Sequence, residues 1–139
     1  MTASKSPGSS LRVLVYSDDA DVRQQVLLAL GSKLHPDLPD LTYVEVATQP
    51  VLLQQVDAGG LDLLILDGEA TPSGGMGIAR QLKDEIYRCP PVLVLTGRVQ
   101  DNWLATWSRA DAAVPHPIEP MALADAALAL LRSRVPATS

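Results

Sequence analysis

Leu61 to Asp67 reads LDLLILD, and this stretch decides the fold. All but Asp62 in Leu61–Leu66 are apolar, with no alternation of wet and dry positions. A strand with one solvated face alternates; a strand covered on both faces by helices does not. The run is therefore expected to be a central strand of a parallel sheet, with Asp67 at its C-terminal end. Upstream, Pro50 opens a helix at a position where proline is tolerated, and Gly59–Gly60 closes it. Downstream, a Gly/Pro/Ser loop (Gly68–Gly75) leads into a helix from about Met76 to Tyr87.

The same grammar extends to both ends. Arg12–Tyr16 (RVLVY) is a β-branched-rich strand, followed by Val22, Val26, Leu27 and Leu30 at helical spacing, with Gly31 as the stop. Ser32–Asp40 carries Pro36 and Pro39 and reads as a loop. Leu41–Ala47 is the second strand. Val92–Leu95 is a fully apolar strand ending in Thr96. Asp101 or Asn102 caps a short helix holding Trp103, Leu104 and Trp107. Ala112–Val114 is a weak last strand, and Pro120 starts an Ala/Leu-rich helix reaching Leu131 or Arg132.

Alternating strands and helices predict a doubly wound five-stranded parallel sheet with helices on both faces. In such sheets the functional crevice lies beyond the C-terminal strand ends, where strand order reverses. That rule selects Ser17, Asp18 and Asp19, then Asp67 and Glu69, then Thr96 and Gly97, then His116. These come from four separated segments and are expected to converge.

Composition narrows the function classes. A chain of 139 residues suffices for one domain, here expected over 11–132, with disordered tails at 1–10 and 133–139. With 11 basic and 16 acidic residues the net charge is −5, which argues against the basic face that nucleic acid requires. No run approaches a membrane span, and MTASKSPGSS lacks the apolar middle of a signal peptide. Cys89 has no partner for a disulfide, so a cytoplasmic setting is expected, with the residue half-buried or buried rather than reactive.

Four stretches together carry a family resemblance: VLVYSDDADVR, LDLLILDGEATPSGGMGIARQLK, PPVLVLTGR and AAVPHPIEPMALADAALALL. They resemble the first strand and acidic loop, the phosphoacceptor strand and third helix, the fourth strand with its hydroxyl residue, and the last strand, turn and helix of response-regulator receiver domains. The resemblance covers about Leu11 to Arg132. It implies the flavodoxin-like receiver fold. It places Asp67 on the phosphoacceptor, Thr96 on the hydroxyl that binds the phosphoryl group, and Asp18 with Asp67 around Mg²⁺; apart from the resemblance, Glu69 is a candidate further ligand.

Three positions depart from the family pattern. Ser17 stands where one of two metal-holding acids is usual. His116 replaces the lysine that pairs with the phosphoryl oxygen, and Ala113 replaces the aromatic switch residue. Pro72 falls one place later than usual. Phosphoryl transfer to a carboxylate needs charge neutralisation at the oxygens. Mg²⁺ needs near-octahedral oxygen ligands, so its affinity is expected to be weakened. His116 is shorter than lysine and mostly neutral at pH 7 unless perturbed.

Two readings follow. One is a degenerate receiver acting as a protein-interaction or accessory-subunit module, not an enzyme, with little or no phosphorylation control. The other is a single-domain regulator phosphorylated on Asp67 by a histidine kinase. A closer likeness to orphan receiver-like proteins of high-GC bacteria suggests the respiratory NADH dehydrogenase as a partner, with the chain peripheral on the cytoplasmic side of that complex. Trp103 and Trp107, at i and i+4, either pack against the sheet with Leu104 or form an exposed partner-binding pair. Gly74–Gly77 is no dinucleotide fingerprint, because it lies outside the first strand–helix turn. Ser17, His116 and a nearby Asp lack the nucleophile-elbow sequence of a hydrolytic triad. His35 reads as a solvated loop residue, and His116–Pro117 matches a bond that is often cis in receivers.

Overall fold

The computed structural model describes residues 10–68, 75–86, 89–97 and 110–134. Among them five strands form one parallel sheet: β1 (Leu11–Tyr16), β2 (Leu41–Val46), β3 (Leu63–Asp67), β4 (Val92–Thr96) and β5 (Ala112–Pro115). Their order is β2-β1-β3-β4-β5, so the winding reverses between β1 and β3. Four helices are described: α1 (Ala20–Leu30), α2 (Gln49–Ala58), α3 (Gly75–Glu85) and α4 (Pro120–Arg134). The doubly wound architecture expected from LDLLILD is the one observed. α4 continues to Arg134, past the expected end at Leu131 or Arg132.

The inner strands β3 and β4 lack polar alternation because each side of the sheet has its own helical layer. Val13, Val15, Leu63, Ile65, Leu93 and Leu95 pack on one side with Val26 and Leu30 of α1 and Leu123, Ala127 and Leu131 of α4. Leu14, Tyr16, Leu64, Leu66, Val92 and Val94 pack on the other with Leu52 of α2 and Ile78, Ala79 and Leu82 of α3. On β1 to β4 the odd-numbered core residues thus face α1 and α4 and the even-numbered ones α2 and α3, while on β5 the even-numbered Val114 joins the α1/α4 side. Truncating any of the fully buried leucines to alanine costs about 2–5 kcal/mol.

Local chemistry sets the helix ends that feed the site. Asp19 caps α1, accepting the amide of Asp21 at 2.9 Å. Gly31 ends it at φ +67°, a backbone region that L side chains rarely adopt, and its N–H reaches Leu27 O at 2.8 Å. Glu119 caps α4 with both oxygens, on the amides of Met121 and Ala122. At the opposite end of the sheet, Asp62 and Arg12 exchange bonds: the Arg12 amide donates to Asp62 Oδ2 at 2.9 Å, and the Asp62 amide to Arg12 O at 2.8 Å. That pair accounts for the one charged residue in the apolar run, which is buried because its carboxylate is satisfied.

Candidate functional site

The register between β1 and β3 brings two polar residues to one point. Tyr16 lies opposite Leu66, so the next residues along, Ser17 and Asp67, are neighbours across the winding reversal. Both are odd-numbered, so the alternation turns both toward the α1 layer. Both are buried, Ser17 at 0% and Asp67 at 2% exposure. Taking a carboxylate out of water is unfavourable unless donors meet its oxygens. Here Ser17 Oγ donates to Asp67 Oδ2 at 2.8 Å, and His116 Nε2 lies 3.1 Å from Asp67 Oδ1. A carboxylate only accepts, so Nε2 carries the proton in that pair.

His116 reaches Asp67 despite being shorter than lysine. Its amide donates to Thr96 O at 2.8 Å, which fixes the start of the β5–α4 turn against β4. The His116–Pro117 bond is cis. Asp67 sits between serine and histidine, so the imidazole contacts the acid and not the hydroxyl. That order is unlike a nucleophile–base–acid triad.

The first acidic loop divides its work. Asp18 is exposed. Asp19 is committed to capping α1, and its own amide donates to Ser17 Oγ at 3.0 Å. Tyr16, buried beneath them, has its phenol pushed above its ordinary pKa by burial and then by the charges of Asp18 and Asp67. Thr96 is fully buried, and among the described residues its Oγ1 has no hydrogen-bond partner. Ala113 is exposed on β5, a strand whose register places it opposite Val94. Glu69, Pro72, Trp103, Leu104 and Trp107 lie outside the described residues.

Sequence reasoning passed over Arg23. A cation in the first turn of a helix opposes the helix dipole, which was a readable signal that it has another use. Its Nη1 donates to Ser17 O at 2.6 Å, and its Nε pairs with Glu45 Oε1 on β2 at 3.2 Å. Outside the site, His35 is partly exposed and contacts Arg132 and the Asp37 amide. Cys89 is half-buried against the α2/α3 core. No helix among the described residues is long and apolar enough to cross a membrane.

No family model matches the chain. The chain is 66% identical over 125 residues to an uncharacterized response regulatory protein found in two strains of Mycobacterium tuberculosis, covering 90% of this chain and 94% of that protein. Among solved structures, a Francisella response regulator receiver domain superposes with a TM-score of 0.75 at 15% identity, covering 89% of this chain and 98% of the other. A putative response regulator from Chloroflexus aurantiacus superposes with a TM-score of 0.71 at 21% identity, covering 89% and 99%. The two structural likenesses show the flavodoxin-like receiver fold, and the mycobacterial relative shows the family. The chain belongs to the response regulators of two-component signalling, as a receiver domain.

Proposed function

We propose that this receiver domain works through contacts with another protein, under little or no control by phosphorylation, and is not itself an enzyme. The observation that carries the proposal is the state of Asp67. Each carboxylate oxygen meets a side chain of its own fold, Ser17 at one and His116 at the other. Both oxygens of the acceptor are thus already hydrogen-bonded within the fold, and a metal ion or phosphodonor has to displace these donors to reach them. The small, exposed Ala113 supports the same reading, since it has no ring to move inward with Thr96.

Receiver domains typically bind Mg²⁺ at the phosphorylation site. Mg²⁺ demands near-ideal octahedral oxygens at short range. Asp18 and Asp67 supply two carboxylates, but among the described residues no group of three or more His, Cys, Asp or Glu side chains is arranged to hold a metal. Asp19 is diverted to the helix cap. These residues fit the ion poorly, and the proposal includes weak Mg²⁺ binding.

Treatment with a small-molecule phosphodonor in Mg²⁺, followed by intact-mass analysis, tests the proposal. Substoichiometric labelling with unchanged partner affinity is expected. Full labelling of Asp67 that changes partner affinity overturns it.

One observation favours the second reading, a regulator phosphorylated on Asp67 by a histidine kinase. The buried Thr96 hydroxyl lacks a partner among the described residues, as a group awaiting a ligand would. The partner in the main reading is a protein in the cytoplasm. The respiratory NADH dehydrogenase has no support in the fold or in the relatives' names, and a native pull-down discriminates it from a kinase.

A further inference from the structure

Every polar atom of Ser17 is committed, and each commitment leads to a different element. Its amide donates to Val46 O of β2 at 3.2 Å. Its carbonyl accepts Arg23 Nη1 of α1 at 2.6 Å. Its hydroxyl proton goes to Asp67 Oδ2 of β3 at 2.8 Å, and its oxygen accepts the amide of Asp19, the α1 cap, at 3.0 Å. The residue has no exposed surface, so water is not at hand to replace a lost partner. Arg23 then continues to Glu45 at the surface between α1 and β2.

We infer that Ser17 is a positioning residue coupling the Asp67 carboxylate to the first turn of α1, so that a change at Asp67 is read on the Arg23–Glu45 side of the domain. A hydroxyl has one proton to give. If Asp67 Oδ2 stops accepting, that proton is stranded in a buried site, and a stranded donor is unfavourable enough to force a rotation of Oγ. Rotation withdraws the acceptor from the Asp19 amide. Asp19 holds the start of α1 through Asp21, and Arg23 is tied to the same serine by its carbonyl, so the turn and the Arg23–Glu45 pair move together. The coupling goes beyond the proposed function and holds whether or not Asp67 is ever phosphorylated. It needs only that the acceptor at Asp67 can change.

A double-mutant cycle read by amide NMR tests it, because spatial intermediacy alone does not establish coupling. Asp67→Ala in the wild-type background is expected to shift the amides of Asp21, Val22 and Arg23 and the Arg23 Nε–H. In the Ser17→Ala background the same change is expected to leave them in place, and Ser17→Thr, which keeps a hydroxyl, is expected to restore the response. Equal shifts in both backgrounds, or none at Arg23 Nε–H in the wild type, overturn the inference. If Asp67→Ala does not fold, Asp67→Leu keeps the branched shape, offers Ser17 no acceptor at all and is read in the same way. Failure here leaves the phosphodonor result untouched, and failure of that proposal leaves this cycle intact.

Discussion

His116 Nε2 and Asp67 Oδ1 stand 3.1 Å apart, but the imidazole is partly exposed where its counterpart on the other oxygen, Ser17, is fully buried. Water can take the place of the first donor and not of the second. Ser17→Ala is therefore expected to destabilise the fold by about 1–3 kcal/mol, the range for leaving buried groups unpaired. His116→Ala is expected to cost less than Ser17→Ala, because the partly exposed imidazole leaves a place that water reaches. Urea denaturation of the two variants checks the ranking.

Ser17→Asp places a second carboxylate against Asp67 in the buried crevice. Without metal the like charges repel, and the variant should melt below the wild type. Added Mg²⁺ should then recover its stability, while the wild type responds weakly. An added ligand of about 1.4 kcal/mol raises affinity about tenfold. Thermal melts across a Mg²⁺ titration give both quantities, and parallel curves would count against the poor fit argued for the ion.

Thr96→Val removes a hydroxyl without removing volume. Since Oγ1 is buried with no partner among the described residues, the variant should be as stable as the wild type or more so, by up to about 1–3 kcal/mol. If it is instead destabilised in a denaturation experiment, the hydroxyl has a bond that matters to the resting fold.

Alkaline pH should weaken the fold through Tyr43. Burial pushes its phenol from 10.0 up to about 12. The folded chain then keeps a proton that the unfolded chain releases, so this contribution is whole below pH 10 and fades as pH rises through about 12. Denaturation midpoints across that window should fall more gently in Tyr43→Phe. The buried Tyr16, also shifted upward, leaves a residual slope in that variant.

The strands were legible because burial on both faces erases alternation, as in Leu63–Leu66, and the residues just after them were legible because parallel sheets open there. Asp67, Thr96 and His116 were reached by that rule. The partnerships were not. A serine in an acidic loop reads as a loss, and only the β1–β3 register shows that its hydroxyl meets Asp67. Asp19 could be placed in the loop by sequence, but its service as a cap depends on α1 beginning at Ala20, two residues before its first apolar position. The reach of His116 depends on the turn after β5, whose geometry no spacing rule supplies.

The separation of strand residues into two layers has a further consequence, for evolution and for engineering. Ser17 and Asp67 meet because both fall on the same parity as the α1-facing core. One residue inserted within β1 or β3 would keep the fold's composition almost unchanged yet turn the residues beyond it to the opposite layer, carrying Ser17 in the first case or Asp67 in the second toward α2 and α3. Length changes in this family module should therefore collect in loops such as 32–40, while the spacing from each buried strand to its terminal polar residue stays fixed by packing, independently of whether the acid ever carries a phosphoryl group.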